Sequence, residues 1–578
     1  MKKILTALLL SLAAVTGCKK EDLDLTVTIE LEPAVTVTVG QTRQLVAVVQ
    51  PQSIAMSATL AWDSADKTVA TVDRNGVVTA LTEGKTVVTA SLQNDASVSA
   101  RCTVQVVKQG ENPDEVVLFE DMLFETYLLV SYDANGDGKL QASEAAAIET
   151  LDVAMRGFSS LKGIEYFTHL KHLNCEYNNL KELDVTHCPE LETLICSEND
   201  LRSLDLTRNP LLQTLDCSWN NVLSELDVTR CPELVCLKCG GNSLTALDVT
   251  QNPALEILDA EYNRFEHLDV TQNPELRMLD VSCSSYFAST GTQTFPPIGE
   301  IDLSRNPKLE QFDCSLCAFE RLDLSSNPEL THLRCARNKL SSLDVSNNTK
   351  LRTLVVANNP IGALDVTMCP EIDTLWCEGN GLRVLDLSES RKLTWLNCSR
   401  NEIEELDFSN TELGYLLGQE NRIRRIDMGE KTFGAATGYL YMKLNDNCLE
   451  RLDLSRQPHL AWVELDNNNL QSLDVNACTR LRGMLCNDNP QLSELKFGQL
   501  SEVWEIHCSN CNLSGTLDFS GISRLSRISC DGNRLTTLYV WEGFDPDSTY
   551  FLADHTTGIT GTFLCYVKDD SAQWVVKR

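Results

Sequence analysis

LKHLNCEYNNLKELDVTHCPE, residues 170–190, decides the fold, because LETLICSENDLRSLDLTRNPL follows it at 191–211 and LQTLDCSWN at 212–220. From Leu170 to Val540 the chain repeats one phrase about every 21 residues, L-x-x-L-x-C-x-x-N-x-L-x-x-L-D-V-[TS]-x-N-P. A unit this short cannot bury its apolar face alone, so neighbours must stack and form a solenoid. Apolar residues at positions 1, 4, 6, 11, 14 and 16 of the phrase are predicted to point inward. Asn178, Asn199, Asn220, Asn242 and Asn263 sit at position 9, where a buried amide can bond backbone groups of the turn and link neighbouring coils; Cys317 and Cys511 replace it twice. L-D-V-[TS] reads as a short extended segment on the far side.

The core phrase L-x-x-L-x-[LC]-x-x-N-x-L is that of the leucine-rich repeat, and LKGIEYFTHL at 161–170 resembles internalin-type repeats. The resemblance implies a right-handed solenoid of about 18 coils over 148–540, with breaks at 282–298 and 429–438. It also implies that positions 3, 5, 7 and 8 face outward on a concave side. There one run departs from ordinary polar residues: Trp376 at position 5, then Trp395, Tyr415, Tyr441 and Trp462 at position 3 of consecutive coils. Exposed aromatics rimmed by polar groups mark interaction sites, so these five are the candidate partner-binding residues. A smaller group, Tyr177, Trp219 and Tyr262, occupies position 8 of early coils.

Of 23 cysteines, the eleven at 175, 196, 217, 239, 314, 335, 377, 398, 486, 508 and 530 share position 6, where other coils carry Ala260, Val281 or Leu444. Free cysteine behaves as a small hydrophobe. In-register strands hold equivalent side chains roughly 4.8 Å apart, wider than the ~3.8 Å between Cβ atoms that a disulfide prefers. Buried thiols are therefore expected. Aspartate recurs at position 15, from Asp184 through Asp205 and Asp365 to Asp518. Each is expected to accept a bond from a backbone amide or a Thr/Ser hydroxyl in its own turn.

Before the repeats lie three further segments. Residues 1–17 have a basic start and a short apolar run, as a signal peptide does, and end at Val15-Thr16-Gly17-Cys18. This resembles the lipobox of bacterial lipoproteins, which implies that Cys18 is lipidated. Lys19-Lys20-Glu21-Asp22, within 18–23, is similar to the signal with which Bacteroidota send lipoproteins to the outside of the outer membrane. The implied address is the cell surface, reached through a lipid anchor only. Residues 24–107 alternate in short β-branched runs separated by Gly, Pro and Asp turns, the pattern of a sandwich. The phrases WDSADKTVATVD and TEGKTVVTA closely resemble the group 2 bacterial immunoglobulin-like domain, with Trp62 as its expected buried core residue.

After a linker at 108–117, residues 118–147 place helical spacing around DANGDGKLQASE at 133–144. Asp133, Asn135 and Asp137 supply oxygens at loop positions 1, 3 and 5, Lys139 and Gln141 stand at 7 and 9, and Glu144 closes the loop at 12. That spacing fits an EF-hand-like loop for one structural calcium ion, on a short helical cap. The tail 541–578 reads as a β cap over the open end of the solenoid.

A net charge of −33 with no basic stripe argues against nucleic acid. Eight histidines fall in different repeat slots, and neither a phosphate loop nor a nucleophile elbow is present. The expectation is a non-enzymatic binding protein whose concave face takes a protein ligand; the alternative is a glycan-binding lipoprotein of a polysaccharide-uptake system.

Overall fold

The computed structural model describes residues 27–50, 58–108, 112, 115–283, 298–498, 500–553 and 560–577. They form two compact units: Met1–Val117 with Ser131–Ala145, and Leu118–Val130 with Ala146–Arg578.

From Thr28 to Val107 the first unit is an all-β immunoglobulin-like module. A four-stranded sheet runs in the order Ala34–Thr38, Asp95–Val107, Gly84–Leu92, Leu60–Ser64, and a three-stranded sheet joins Thr42–Gln44, Val77–Ala80 and Ala70–Val72. Valines on alternate positions, such as Val78, Val88, Val104 and Val106, are fully buried between them. The Asn75-Gly76 turn forms the expected hairpin: Asp73 accepts the amides of Asn75 and Val77 at 2.8 and 2.9 Å. Trp62 is half-buried rather than buried: it packs on the edge of both apolar clusters of the module, with its ring over Gly76.

The second unit is built on one parallel sheet of 19 strands, from Thr150–Asp152 to Tyr566–Val567. Most strands are three residues long and lie in register, so Leu173, Leu194, Leu215 and Leu237 are direct neighbours. These position-4 leucines and the position-6 cysteines are buried to within 1%. Each leucine so buried contributes about 1.5–3 kcal/mol of apolar transfer, and the stacking makes the contribution continuous. Burial pushes the Cys175 and Cys398 thiols up to about 12, so the column is inert packing.

Position 8 is where the chain leaves the strand. It takes left-handed backbone even at non-glycine residues, with φ 54° at Tyr177, 55° at Trp219, 53° at Tyr262 and 55° at Arg400. Position 9 then turns in. Asn199 donates to the carbonyls of Cys175, Cys196 and Ser197 at 3.0–3.2 Å and accepts the Leu180 amide at 3.0 Å. It thereby ties one coil to the one before. Cys317 and Cys511 imitate the donor half, with thiols on Val281 O at 3.2 Å and Cys486 O at 3.3 Å.

A second asparagine column stands at position 19, in the N-P pair that ends the phrase. Asn209 donates to Val185 O and Cys188 O at 3.0 and 2.9 Å, and Asn252, Asn273, Asn306, Asn327 and Asn348 repeat the arrangement. Their Oδ1 atoms meet no protein donor. This difference explains the substitutions. A thiol replaces position 19 freely, as at Cys188, Cys369 and Cys478, because it keeps a donor and removes a stranded acceptor.

The position-15 aspartates behave as expected: Asp205 Oδ1 accepts Thr207 N at 2.9 Å and Thr207 Oγ1 at 2.7 Å, and these bonds lower its pKa. The L-D-V-[TS] segments contain no helix. Among the described residues they pair as strands at Glu405–Asp407 with Arg425–Asp427, at Ser472–Asp474 with Glu494–Lys496, and in the last coils, Ser514–Asp518 with Arg534–Val540. Elsewhere the aspartate and the position-19 residue close the backbone into turns, as Asn209 N does on Leu206 O.

Both ends of this unit are covered. The residues of helix Met122–Tyr132 that belong to it pack on the first coil: Phe124 lies 5.5 Å from Phe158, and Asp121 accepts the Ser159 amide and hydroxyl at 2.7 and 2.9 Å. At the far end Tyr566–Val567 pairs with Arg527–Ser529, and Gln573–Val576 pairs with Arg534–Val540. Trp541, Phe544, Tyr566 and Trp574 close over the last coil with centroids 4.5–6.4 Å apart. No helix of the described residues is long and apolar enough to cross a membrane.

Candidate functional site

The parallel register brings the five sequence-predicted aromatics into one run. Trp376 pairs in register with Asn397, while Trp395, Tyr415, Tyr441 and Trp462 are direct neighbours on successive strands. Ring centroids are 6.4 Å apart for Trp376–Trp395, 4.3 Å for Trp395–Tyr415 and 4.6 Å for Tyr415–Tyr441, the last pair only 5° from parallel. Trp376 and Trp395 are each 38% exposed; the other three are half-buried.

The stack extends past its predicted end. Gly483 takes position 3 of the coil after Trp462, and a Cβ there would lie 2.1 Å from the Trp462 ring. Its absence lets that ring reach Trp504, 5.4 Å away and 37% exposed. Sequence reading missed both residues. Trp504 stands at position 2, and a glycine in an outward slot carries no chemistry until its neighbour is seen leaning on it.

One buried carboxylate holds the middle of the run. Glu464 accepts Tyr441 Oη at 3.1 Å and Trp462 Nε1 at 2.9 Å, and pairs with Lys443 Nζ at 3.1 Å. Burial, then this carboxylate, pushes the Tyr441 phenol well above its ordinary value. Beside the Trp end, Arg400 bridges Glu378 at 3.3 Å and Glu420 at 3.1 Å. Held parallel, Tyr415 has Trp395 against one face and Tyr441 against the other. At Tyr415 the stack therefore leaves the ring edge free, and a ring edge carries the positive part of the aromatic quadrupole.

The smaller aromatic group also assembles in part. The Trp219 ring leans over Gly241 and lies 5.6 Å from Tyr262; Tyr177 stands apart in an earlier coil, 61% exposed. Next to them, position 5 carries Asp259, Asp280 and Asp313 on three consecutive strands. Burial and then Asp313 raise Asp280 to about 6; burial and then Asp280 raise Glu261 to about 7.

The 133–144 loop has an oxygen-only donor set of the kind that suits a hard cation. Its oxygens are turned onto the loop's own amides: Asp133 accepts Gly136 N and Gly138 N at 2.7 and 2.8 Å, and Glu144 accepts Ala134 N, Asn135 N and Gln141 N at 3.0–3.2 Å. Asn135 and Asp137 accept the amides of Asp137 and Lys139, and the Gln141 side chain bonds both. Among the described residues no group of three or more His, Cys, Asp or Glu is arranged to hold a metal ion. Cys18 lies outside the described residues.

Residues 26–104 match the bacterial Ig-like domain, group 2. The chain is similar to the functional domain of InlJ from Listeria monocytogenes, which includes a cysteine ladder, at 24% identity over 74% of this chain and 87% of that one, TM-score 0.50. The solenoid is a leucine-rich-repeat fold. The leucine-rich-repeat ectodomain of the Arabidopsis receptor kinase HAESA, solved with an N-terminally extended IDA peptide hormone, is similar at 19% identity over 71% of this chain and 76% of that one, TM-score 0.51. An uncharacterized protein of Clostridium acetobutylicum is 40% identical over 70 residues, 12% of this chain, and the chain spans only 7% of that relative's length. At these identities the structural likenesses establish the leucine-rich-repeat fold and no more.

Proposed function

We propose that the outer face of the leucine-rich-repeat sheet is a protein-binding platform centred on the run from Trp376 to Trp504. The observation that carries the reading is the clamped, edge-out stack. Sugars bind aromatic faces through their C–H groups, and here Tyr415 has both faces against other rings. Ring edges suit backbone carbonyls, carboxylates and T-shaped aromatic partners, which a polypeptide supplies. The same fold holds a peptide in the HAESA complex. The full chain, immobilised, should retain a ligand whose capture is destroyed by protease treatment of the ligand source. Capture that survives protease and is lost to glycosidase would establish the glycan alternative instead.

The platform is displayed, in this proposal, by a lipid on Cys18. Cys18→Ala should move the protein from the detergent phase to the aqueous phase on partition, and protease added to intact cells should trim the wild-type repeats. Repeats that stay intact in whole cells would place the anchor on an inner surface.

We further propose that the 133–144 loop takes one calcium ion, the donors being Asp133, Asn135, Asp137, Lys139, Gln141 and Glu144. Binding exchanges the bonds to loop amides for the cation. A ligand that binds only the folded state stabilises it by about 2.7 kcal/mol at a hundredfold excess over Kd. Because residues 131–145 group with the N-terminal module, chelation should lower the melting transition of that module. An Asp133→Ala, Asp137→Ala variant should not respond; equal responses to chelator would refute the site.

A further inference from the structure

Two cysteines that belong to neither the position-6 nor the position-19 cysteine column meet across neighbouring coils. Cys283 occupies position 8 of the coil that starts at Leu276, immediately before residues 284–297 of the break in the repeat. Cys317 occupies position 9 of the coil that starts at Leu309. Their sulfurs are 3.8 Å apart across a sequence separation of 34. Cys283 is half-buried and its amide is pinned to Ser315 O at 3.0 Å; Cys317 is 6% exposed. Cys317 also holds the slot's ordinary bond, its thiol on Val281 O at 3.2 Å, as Asn338 holds Cys314 O at 2.9 Å one coil later.

We infer that Cys283 and Cys317 form a redox-responsive dithiol that closes to a disulfide and fastens the coil before the break to the coil after it. The contact between the two sulfurs lowers the Cys283 thiol pKa and raises that of Cys317, so Cys283 is the attacking sulfur. As a thiolate it attacks one sulfur of a disulfide oxidant, and half of the oxidant leaves as a thiolate. Cys317 gives up its proton and attacks the Cys283 sulfur of the mixed disulfide, and the second half leaves. In sum, two thiols lose two electrons and two protons, and one oxidant disulfide becomes two thiols.

Closure requires the sulfurs to move from contact to about 2.05 Å, and it takes the donor away from the buried Val281 carbonyl. That loss opposes the new bond and keeps it reducible. Cys511 is the internal control. It fills the same slot and makes the same bond, to Cys486 O at 3.3 Å, but position 8 of the coil before it is Asp488.

The test treats the full chain with oxidised glutathione, blocks remaining thiols by alkylation, and maps links by mass spectrometry. The expected product is a single 283–317 link, formed at least tenfold faster than any modification of Cys511 and fully reversed by dithiothreitol. Cys317→Asn restores the slot's usual residue, so the fold is kept; in that variant Cys283 should stop at the mixed disulfide with glutathione. If wild-type Cys283 and Cys317 stay alkylatable, or if links spread equally to position-6 cysteines, the proposal is overturned.

Discussion

Trp395→Ala combined with Trp462→Ala should lower affinity for the protein ligand about a thousandfold and leave the melting curve nearly in place. A ring at the centre of an interface commonly costs about 2 kcal/mol when truncated, and each 1.4 kcal/mol is about tenfold. Trp395 stacks on Tyr415 at one end of the tyrosine pair, and Trp462 shares Glu464 with Tyr441 at the other, so their loss removes the support on both sides. The fold loses little, because position 3 faces away from the leucine core and exposed sites usually stay within about 0.5 kcal/mol. Glu464 keeps Tyr441 and Lys443 when Trp462 is shortened. Calorimetric titration and scanning calorimetry of the same preparation measure both effects. A fall of several degrees with binding unchanged would show that the rings are packing and that the ligand sits elsewhere.

Asn401→Ala should have the opposite signature, a loss of about 3–5 kcal/mol in stability confined to neighbouring coils. Asn401 is buried, donates to Cys377 O, Cys398 O and Ser399 O at 2.9–3.1 Å, and accepts the amides of Asn380 and Leu382, both at 3.0 Å. Truncation strands several of these groups at once, and each buried orphan costs about 1–3 kcal/mol. Solenoid stability sums over nearest neighbours, so faster amide exchange should appear around residues 377–401 before it reaches distant coils. Asn209→Cys is the counterpart. Position 19 uses only its donor end, so that exchange should cost about 1 kcal/mol or less. Equal losses at the two sites would contradict the distinction between the columns.

Much of this was legible in the chain itself. A 21-residue period with leucines at fixed slots has one economical way to bury them, and that stacking dictates the sheet, the cysteine column and the inward asparagines. The turn aspartates were legible too, since Asp205 bonds a residue two places on and needs no distant partner. The second asparagine column escaped notice because N-P reads first as a turn signal; its partners lie 21 and 24 residues back.

The sequence alone determined which residues share a face, because register follows from the period once coils stack. It placed the five aromatics in line. Tertiary structure alone decided what the line became: Gly483 lets the Trp462 ring reach Trp504, Glu464 serves two rings, and the tyrosines stack parallel. It alone set Asp280 opposite Asp313 and Cys283 beside Cys317, across the break in the period. Spacing fixes slots along a repeat, but ring tilt, shared hydrogen bonds and the register across an interruption depend on packing in three dimensions, which no local pattern encodes.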